Sequence, residues 1–390
     1  MAFRHLLNDS IEWTLRFSRR FDRYYRDAFD FLFRDAILGA AQFLVNLLRA
    51  KDTLGIAEER MLDGEEELGK EITRLMCEFM QRKYAGGVAL RAGNTKTHGL
   101  LRARLEVLPN LSPALAQGIF RTARSYPAWV RVAGPGPLAP PDLDDNGILS
   151  LSIKVMGVDG PKLLDDERAT QDFTAISAPT FTTPNVKENI ALQRRIGDDT
   201  PALYFVDPTN SHLLDAIMQG VFSRACGNPL DLVYHSCVPY LHGTGQAVKY
   251  AFRPVEKQGT KIPRRPGPTY LREAMAATLA ERDVVFEMLV QFQTDPRRMP
   301  IENASVIWPE RLSPLQPVAR LHIARQTFDS PAQMSFDRRL SFNPWHAIAE
   351  HRPLGNQNRA RRRIYHETSL FRQAMNHDPR IEPTGNEVFS

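Results

Sequence analysis

The sequence predicts an α+β protein, an antiparallel β-barrel or sandwich preceded by helices and closed by a last helix. Three observations predict it. Apolar residues recur at helical spacing up to about residue 85. From residue 98 the pattern changes to period-2 alternation, which returns in runs separated by Pro/Gly/Asp loops. A final helical stretch of about Asn358–Asn376 follows the strand region.

The chain has 390 residues, 43% hydrophobic and 24% charged, an ordinary globular composition. This length suits two or three domains or one large barrel with appendages, and it can bury a core without a disulfide framework. Fifty Lys+Arg against forty-five Asp+Glu leave a formal charge of +5, too mild for a nucleic-acid-binding protein. Cys77, Cys226 and Cys237 are spaced wrongly for a zinc knuckle and read as thiols of a reducing, cytoplasmic compartment. No secretory leader pattern is present. No apolar run is expected to reach the ~18–20 residues of a membrane span, because Gly39, Gln42 and Asn46 break the longest, Ala36–Leu48.

In residues 1–50, Phe17, Phe21, Tyr24, Ala28 and Leu32 recur at helical spacing. Arg16, Arg19, Arg20, Arg23 and Arg26 interleave with Asp22, Asp27 and Asp30. Such a helix can lie peripherally in a lipid interface, or pack on its own domain or a second subunit. A second amphipathic helix is predicted from about Ala57 to Tyr84, with Ile72, Leu75, Met76 and Phe79 on one side and Ala85-Gly86-Gly87 ending it. These helices make an N-terminal extension, 1–85.

The strand region begins with Leu101, Ala103, Leu105 and Val107 alternating with Arg102, Arg104 and Glu106. Leu149, Leu151, Ile153 and Val155 alternate with Ser150, Ser152 and Lys154, and Val248, Tyr250 and Phe252 alternate around Lys249. Helices interrupt near Leu213–Ala225 and Tyr270–Asp283, and the run Pro135–Gly147 is a surface loop. The main domain spans 86–376, and 377–390 form a loose tail.

Several catalytic signatures are missing. Gly134-Pro-Gly136 and Gly243-Thr-Gly245 lack the third glycine and the strand–helix context of a dinucleotide loop. Gly69-Lys70 is followed by Glu71, so it is no phosphate loop, and there is no GxSxG elbow or HExxH pair. What remains is the last helix. Four residues apart, Arg361 and Tyr365 share a face, and Arg372 returns to the same side. Holding a tyrosine as phenolate near pH 7 costs about 4 kcal/mol. A fixed cation and a bound metal can both offset that, making Tyr365 a candidate axial ligand for ferric iron. From this segment alone, a solvated basic helix with one aromatic anchor is the plainer alternative.

Further segments join it: Lys96-Thr97-His98-Gly99, the Trp308-Pro-Glu-x-Leu-x-Pro-Leu-Gln-Pro-Val318 run, Ser341–His346 and Glu350–Ala360, with the Arg361-x-x-x-Tyr365-x-x-Thr368 helix. Together they resemble the catalase superfamily over roughly residues 86–376, and more closely its small catalase-related branch, which includes allene oxide synthases acting on fatty-acid hydroperoxides. The resemblance implies haem b held by an antiparallel barrel. It implies Tyr365 as the proximal iron ligand and Arg361 as its hydrogen-bond partner. Arg372 and Arg131 would hold propionates, Thr368 and Phe181 would line the haem, and His98 would be the distal histidine. An imidazole can carry a proton from one peroxide oxygen to the other. Thr97 before that histidine resembles the allene oxide branch.

Three departures accompany the resemblance. Ser177 stands where the distal asparagine is expected, though its hydroxyl can still donate one hydrogen bond. Leu149 stands where an arginine is expected. The aromatic run after the distal segment reads Pro179-Thr-Phe181-Thr-Thr-Pro184. The expected function is a haem enzyme that cleaves the O–O bond of an organic hydroperoxide, with His98, Thr97 and Ser177 at the reacting side. The alternatives are a catalytically weak haem-binding or membrane-docking protein, and a true catalase acting on hydrogen peroxide. Homo-oligomers remain open.

Overall fold

The computed structural model describes residues 2–51, 53–145 and 147–389. Two helices open the chain, α1 (Ala2–Arg19) and α2 (Asp22–Leu48), followed by α3 (Glu65–Lys83). Then come β1 (Thr97–Val107), β2 (Ser125–Ala133), β3 (Ser150–Met156), β4 (Thr170–Ile176), α4 (Val186–Gly197) and α5 (Leu213–Phe222). The second half holds β5 (Tyr234–His235), β6 (Tyr240–Leu241), β7 (Ala247–Pro254), α6 (Tyr270–Glu281), β8 (Val284–Phe292), β9 (Gln316–Ile323), α7 (Pro331–Arg339) and α8 (Asn356–Met375).

Strands β1-β2-β3-β4-β5-β7-β8-β9 pair antiparallel, and β9 pairs back onto β1, so eight strands close a barrel with β6 added beside β7. Alternation decides the two faces. The row Leu101–Val130–Ile153–Phe173 points into the barrel core, where the Phe173 and Tyr250 rings meet edge-on with centroids 5.1 Å apart. The neighbouring row, Arg131–Ser152–Thr174, points outward beneath α8.

Helix α8 is held by α3 and α4 through Ile72, Val186, Ile190, Ala360 and Ile364. Its first turn is fixed by Arg359, whose guanidinium pairs with Glu59 at 2.7 Å, Glu65 at 2.7 Å and Glu302 at 3.0 Å. Gly355 ahead of it has φ 87°, and a Cβ there would lie 2.6 Å from the Ile301 carbonyl oxygen.

Three sequence expectations are corrected. The helix expected from about Ala57 starts only at Glu65, because 57–64 are occupied in the Arg359 junction and a turn. The single N-terminal helix is two, broken at Arg20–Phe21. And α2 is long and apolar enough to cross a membrane by length and composition, contrary to the expected absence of such a run, because Gly39, Gln42 and Asn46 sit inside one continuous helix.

Candidate functional site

A partly open cavity of about 270 Å³ lies between the outer face of β2–β4 and the inner face of α8. Positions 361, 365, 368 and 372 of α8 all line it, as their i, i+4, i+7, i+11 spacing dictates. Arg361 is buried. Its Nη2 donates to the Tyr365 hydroxyl at 3.0 Å and to Thr174 Oγ1 at 2.9 Å, and its Nη1 donates to Asn358 Oδ1 at 3.0 Å. Arg361 Nε is buried without a partner, and no carboxylate lies within ion-pair distance of this guanidinium among the described residues. Burial alone would lower its pKa; the adjacent Tyr365 and Tyr240 oxygens outweigh that and raise it. Thr368 returns its hydroxyl to the Ile364 carbonyl at 2.6 Å, and Phe181 faces the Arg361 guanidinium at 6.0 Å.

The other end of the cavity is cationic. Arg131, from β2, and Arg91, from the loop before β1, both pair with the buried carboxylate of Asp337 on α7, at 3.0 and 3.3 Å. Arg372 joins them and donates to the carbonyls of Arg338 and Leu340. Burial pushes the Arg131 and Arg372 guanidinium groups down to about 9. Burial would raise Asp337, but Arg131 and Arg91 outweigh it and hold the carboxyl below its usual range. Between the two ends the walls are largely aliphatic: Ile72 and Met76 from α3, Ile148, Ile176, Leu192 and Ile364.

Tyr365, Arg361, Arg372, Arg131, Phe181 and Thr368 therefore share one cavity. Thr97, His98 and Ser177 do not line it. Thr97 stands just behind the wall, accepting from Arg131 Nη2 at 2.6 Å and donating to Asp337 Oδ2 at 2.8 Å. His98, the next residue on the strand, points the other way. It lies in a small cavity of about 10 Å³ with Asp142, Leu149, Cys226 and Tyr270. Its Nδ1 is 3.6 Å from Asp142 Oδ1, longer than a hydrogen bond, and its Nε2 is buried without a partner. Burial, then Lys96 and Arg272, push its pKa down to about 3, so the ring is neutral. Gly99 lets β1 pass here, since a Cβ would lie 2.5 Å from the Phe328 ring.

Two of the departures meet. Leu149 N donates to Ser177 Oγ at 2.9 Å and Ser177 N donates to Leu149 O at 2.8 Å, extending the β3–β4 ladder by one rung. Sequence reasoning missed Arg91, Asp337, Ser152 and Thr174. The strand alternation that put Arg131 on the outer face carried the signal for Ser152 and Thr174.

This barrel, wrapped by helices and carrying its tyrosine on the last one, has counterparts of known structure. A fungal catalase superposes with a TM-score of 0.55 at 13% identity, over 83% of this chain and 66% of that one. The fold is that of the catalases. A bacterial catalase gives 0.55 at 14% identity over 86% of this chain and 67% of that one. Catalase A from Saccharomyces cerevisiae gives 0.56 at 10% identity, over 83% and 67%. The chain thus spans about two thirds of the length of these catalases. No protein-family model matches the sequence, and no curated protein matches it.

Proposed function

We propose that this chain is a haem-dependent, catalase-related enzyme that cleaves the O–O bond of an organic hydroperoxide. The observation that carries the reading is the Arg361–Tyr365 pair: a buried guanidinium with no carboxylate partner bonded to a tyrosine oxygen that faces a cavity. An uncompensated buried cation is costly, and the group beside it that can become an anion is the phenol.

The residues fit a haem. Tyr365 would hold the iron, with Arg361 hydrogen-bonded to its oxygen. Arg91 and Arg131 pair with the one buried carboxylate of Asp337 while Arg372 donates to backbone carbonyls, so the three guanidinium groups leave a cationic surplus suited to the two propionates. Ile148, Ile176 and Ile364 offer apolar contact to a macrocycle. Bound there, ferric haem would supply the redox chemistry of O–O cleavage.

The chain's own residues select the substrate. Ser177 spends its hydroxyl oxygen on Leu149 N, and the cavity lining carries hydroxyls of Ser152, Thr174 and Ser236 but no imidazole. The aliphatic part of the lining, Ile72, Met76, Ile148, Ile176, Leu192 and Ile364, gives an alkyl chain such as that of a fatty acid a contact surface that hydrogen peroxide cannot use. The purified protein is to be given hydrogen peroxide and a fatty-acid hydroperoxide in parallel. The reading predicts faster turnover of the lipid hydroperoxide; faster turnover of hydrogen peroxide contradicts it and makes the chain a true catalase.

A second reading, a haem-binding protein with little turnover, is favoured by the position of His98 outside the Tyr365 cavity. Turnover per haem separates the two. Steady consumption of a fatty-acid hydroperoxide by the haem-loaded protein, lost in Tyr365→Phe, supports the enzyme. Full haem content with consumption no faster than that of free haemin supports the second reading.

A further inference from the structure

Helix α2 is built inside out. Several of its polar side chains face the protein, while Asp27 and Asp35 stay exposed: Asp22 accepts from Ala225 N at 2.8 Å, and Arg26 donates to the carbonyls of Gly220 and Val221 at 3.0 and 2.6 Å. Gln42 donates to Ser305 O and accepts from Ile307 N, both at 2.9 Å. The apolar side chains face outward: Phe31 is 87% exposed, Leu32 63%, Phe43 68% and Leu47 61%. Helix α1 repeats the arrangement. Asn8 is buried and accepts from Ala202 N at 3.0 Å, while Phe3, Leu6, Trp13 and Phe17 are exposed. The Trp13, Phe17 and Phe21 rings form one exposed line, with centroids 5.0 and 5.2 Å apart. An apolar face running along 27 residues, roughly 40 Å, marks an interaction surface.

We propose that the outer face of α1 and α2 docks in the plane of a lipid bilayer that carries anionic headgroups. Three observations favour lipid. Aromatic rings of Trp13, Tyr24 and Tyr25 flank the aliphatic and Phe stripe, as in helices that lie at the headgroup level. Basic groups stand at both ends of that stripe. Arg16, paired with Glu12, Arg20, paired with Asp144, and Arg23 stand near the α1–α2 corner, where Arg23 bonds the carbonyls of Pro263 and Arg264 beside Arg265; at the far end Arg49 bonds the Arg297 carbonyl beside Arg298. Residues 1–51 hold nine Lys+Arg against six Asp+Glu, a surplus of three, and Asp27 and Asp30 are already paired with Arg224. A second copy laid antiparallel on this face would set cationic end against cationic end.

Docking is in-plane. For α2 to cross the bilayer, Asp22, Arg26, Asp30 and Gln42 would have to leave the protein groups that satisfy them and enter hydrocarbon. The inner apolar residues Ile37, Leu38 and Ala41 pack against Ile148 and Ile176, two residues of the Tyr365 cavity wall. The docked face is therefore one helix away from that wall. The inference does not depend on what the cavity binds.

The test uses the full-length protein and extruded vesicles of phosphatidylcholine with or without about one third phosphatidylglycerol. Trp13 is the one exposed tryptophan; Trp129, Trp308 and Trp345 are buried. Co-sedimentation with the anionic vesicles and quenching of tryptophan emission by brominated acyl chains are expected. A Phe31→Glu/Phe43→Glu variant should lower the bound fraction by about tenfold or more with unchanged thermal melting. Absence of sedimentation with anionic vesicles overturns the proposal. So does a dimer, seen by light scattering without vesicle binding, that the double variant disperses. Binding that neither quenches Trp13 nor responds to the double variant overturns it too.

Discussion

Arg361 Nη2 donates to the Tyr365 hydroxyl at 3.0 Å across one turn of α8, and the same nitrogen holds Thr174 of β4. The cation is thereby pinned between helix and barrel with the phenol oxygen as its nearest group able to carry negative charge. Replacing it should act on haem rather than on folding. Arg361→Met should weaken haem affinity about 10- to 100-fold, the usual effect of losing a partner of a metal ligand. Arg361→Lys keeps the charge but not the planar fork and should fall between. Titration of apoprotein with haemin at the Soret band checks this, and wild-type affinity in Arg361→Met would contradict it.

Asp337 separates Arg131 and Arg91 at the other end of the cavity. Without its charge, buried guanidinium groups face one another. Asp337→Asn should cost on the order of 3 kcal/mol in the apoprotein, and less once haem is added, because the ligand's carboxylates take the place of the lost one. Urea unfolding of apo and haem-reconstituted protein measures both; equal losses would speak against carboxylate binding at this end.

Four histidines set the acid limit. Burial pushes His98 and His351 down to about 3 and His235 and His242 down to about 4, from 6.5. Below pH 6.5 the unfolded chain takes up protons that the folded one refuses, so stability rises with pH. Each such histidine contributes stability that is fully present above pH 6.5. Each loses about 1.4 kcal/mol per pH unit as pH falls toward its folded value. Urea midpoints at pH 7, 6 and 5 should drop steeply, and His98→Gln should reduce the slope by one proton. A flat profile between pH 6.5 and 5 would contradict this.

Arg359 ties the 59–65 segment and Glu302 to the start of α8. Arg359→Ala leaves three carboxylates facing each other and should cost on the order of 3 kcal/mol, with Arg359→Lys recovering only part. Thermal melting reads the order wild type, Lys, Ala; a variant melting at the wild-type temperature would show the junction to be dispensable.

The barrel was legible because Leu101–Val107, Leu149–Val155 and Val248–Phe252 alternate with period 2; the apolar face of each enters the core, and in the latter two the polar face is buried as well. Helix α8 was legible because Arg361, Tyr365 and Arg372 repeat on one side. Of the shorter helices α5 and α6 were read, but α4 and α7 were not, although their caps were in view: Asn185 accepts from Glu188 N ahead of α4, and Ser330-Pro331 opens α7. Missing α7 meant missing Asp337. The inverted face of α2 was hidden too, because composition shows that a helix is amphipathic and not which side is covered. Thr97 and His98 show the limit most plainly. Neighbours on a strand point to opposite faces, and here that sends Thr97 to Arg131 and His98 to the Asp142 side.

The most direct measurement is the visible absorption spectrum of protein produced with ample haem, beside a Tyr365→Phe variant. The account predicts a Soret band with high-spin ferric features in the wild type, lost or shifted in the variant. A wild-type protein that carries no haem, or a spectrum identical in Tyr365→Phe, would contradict it.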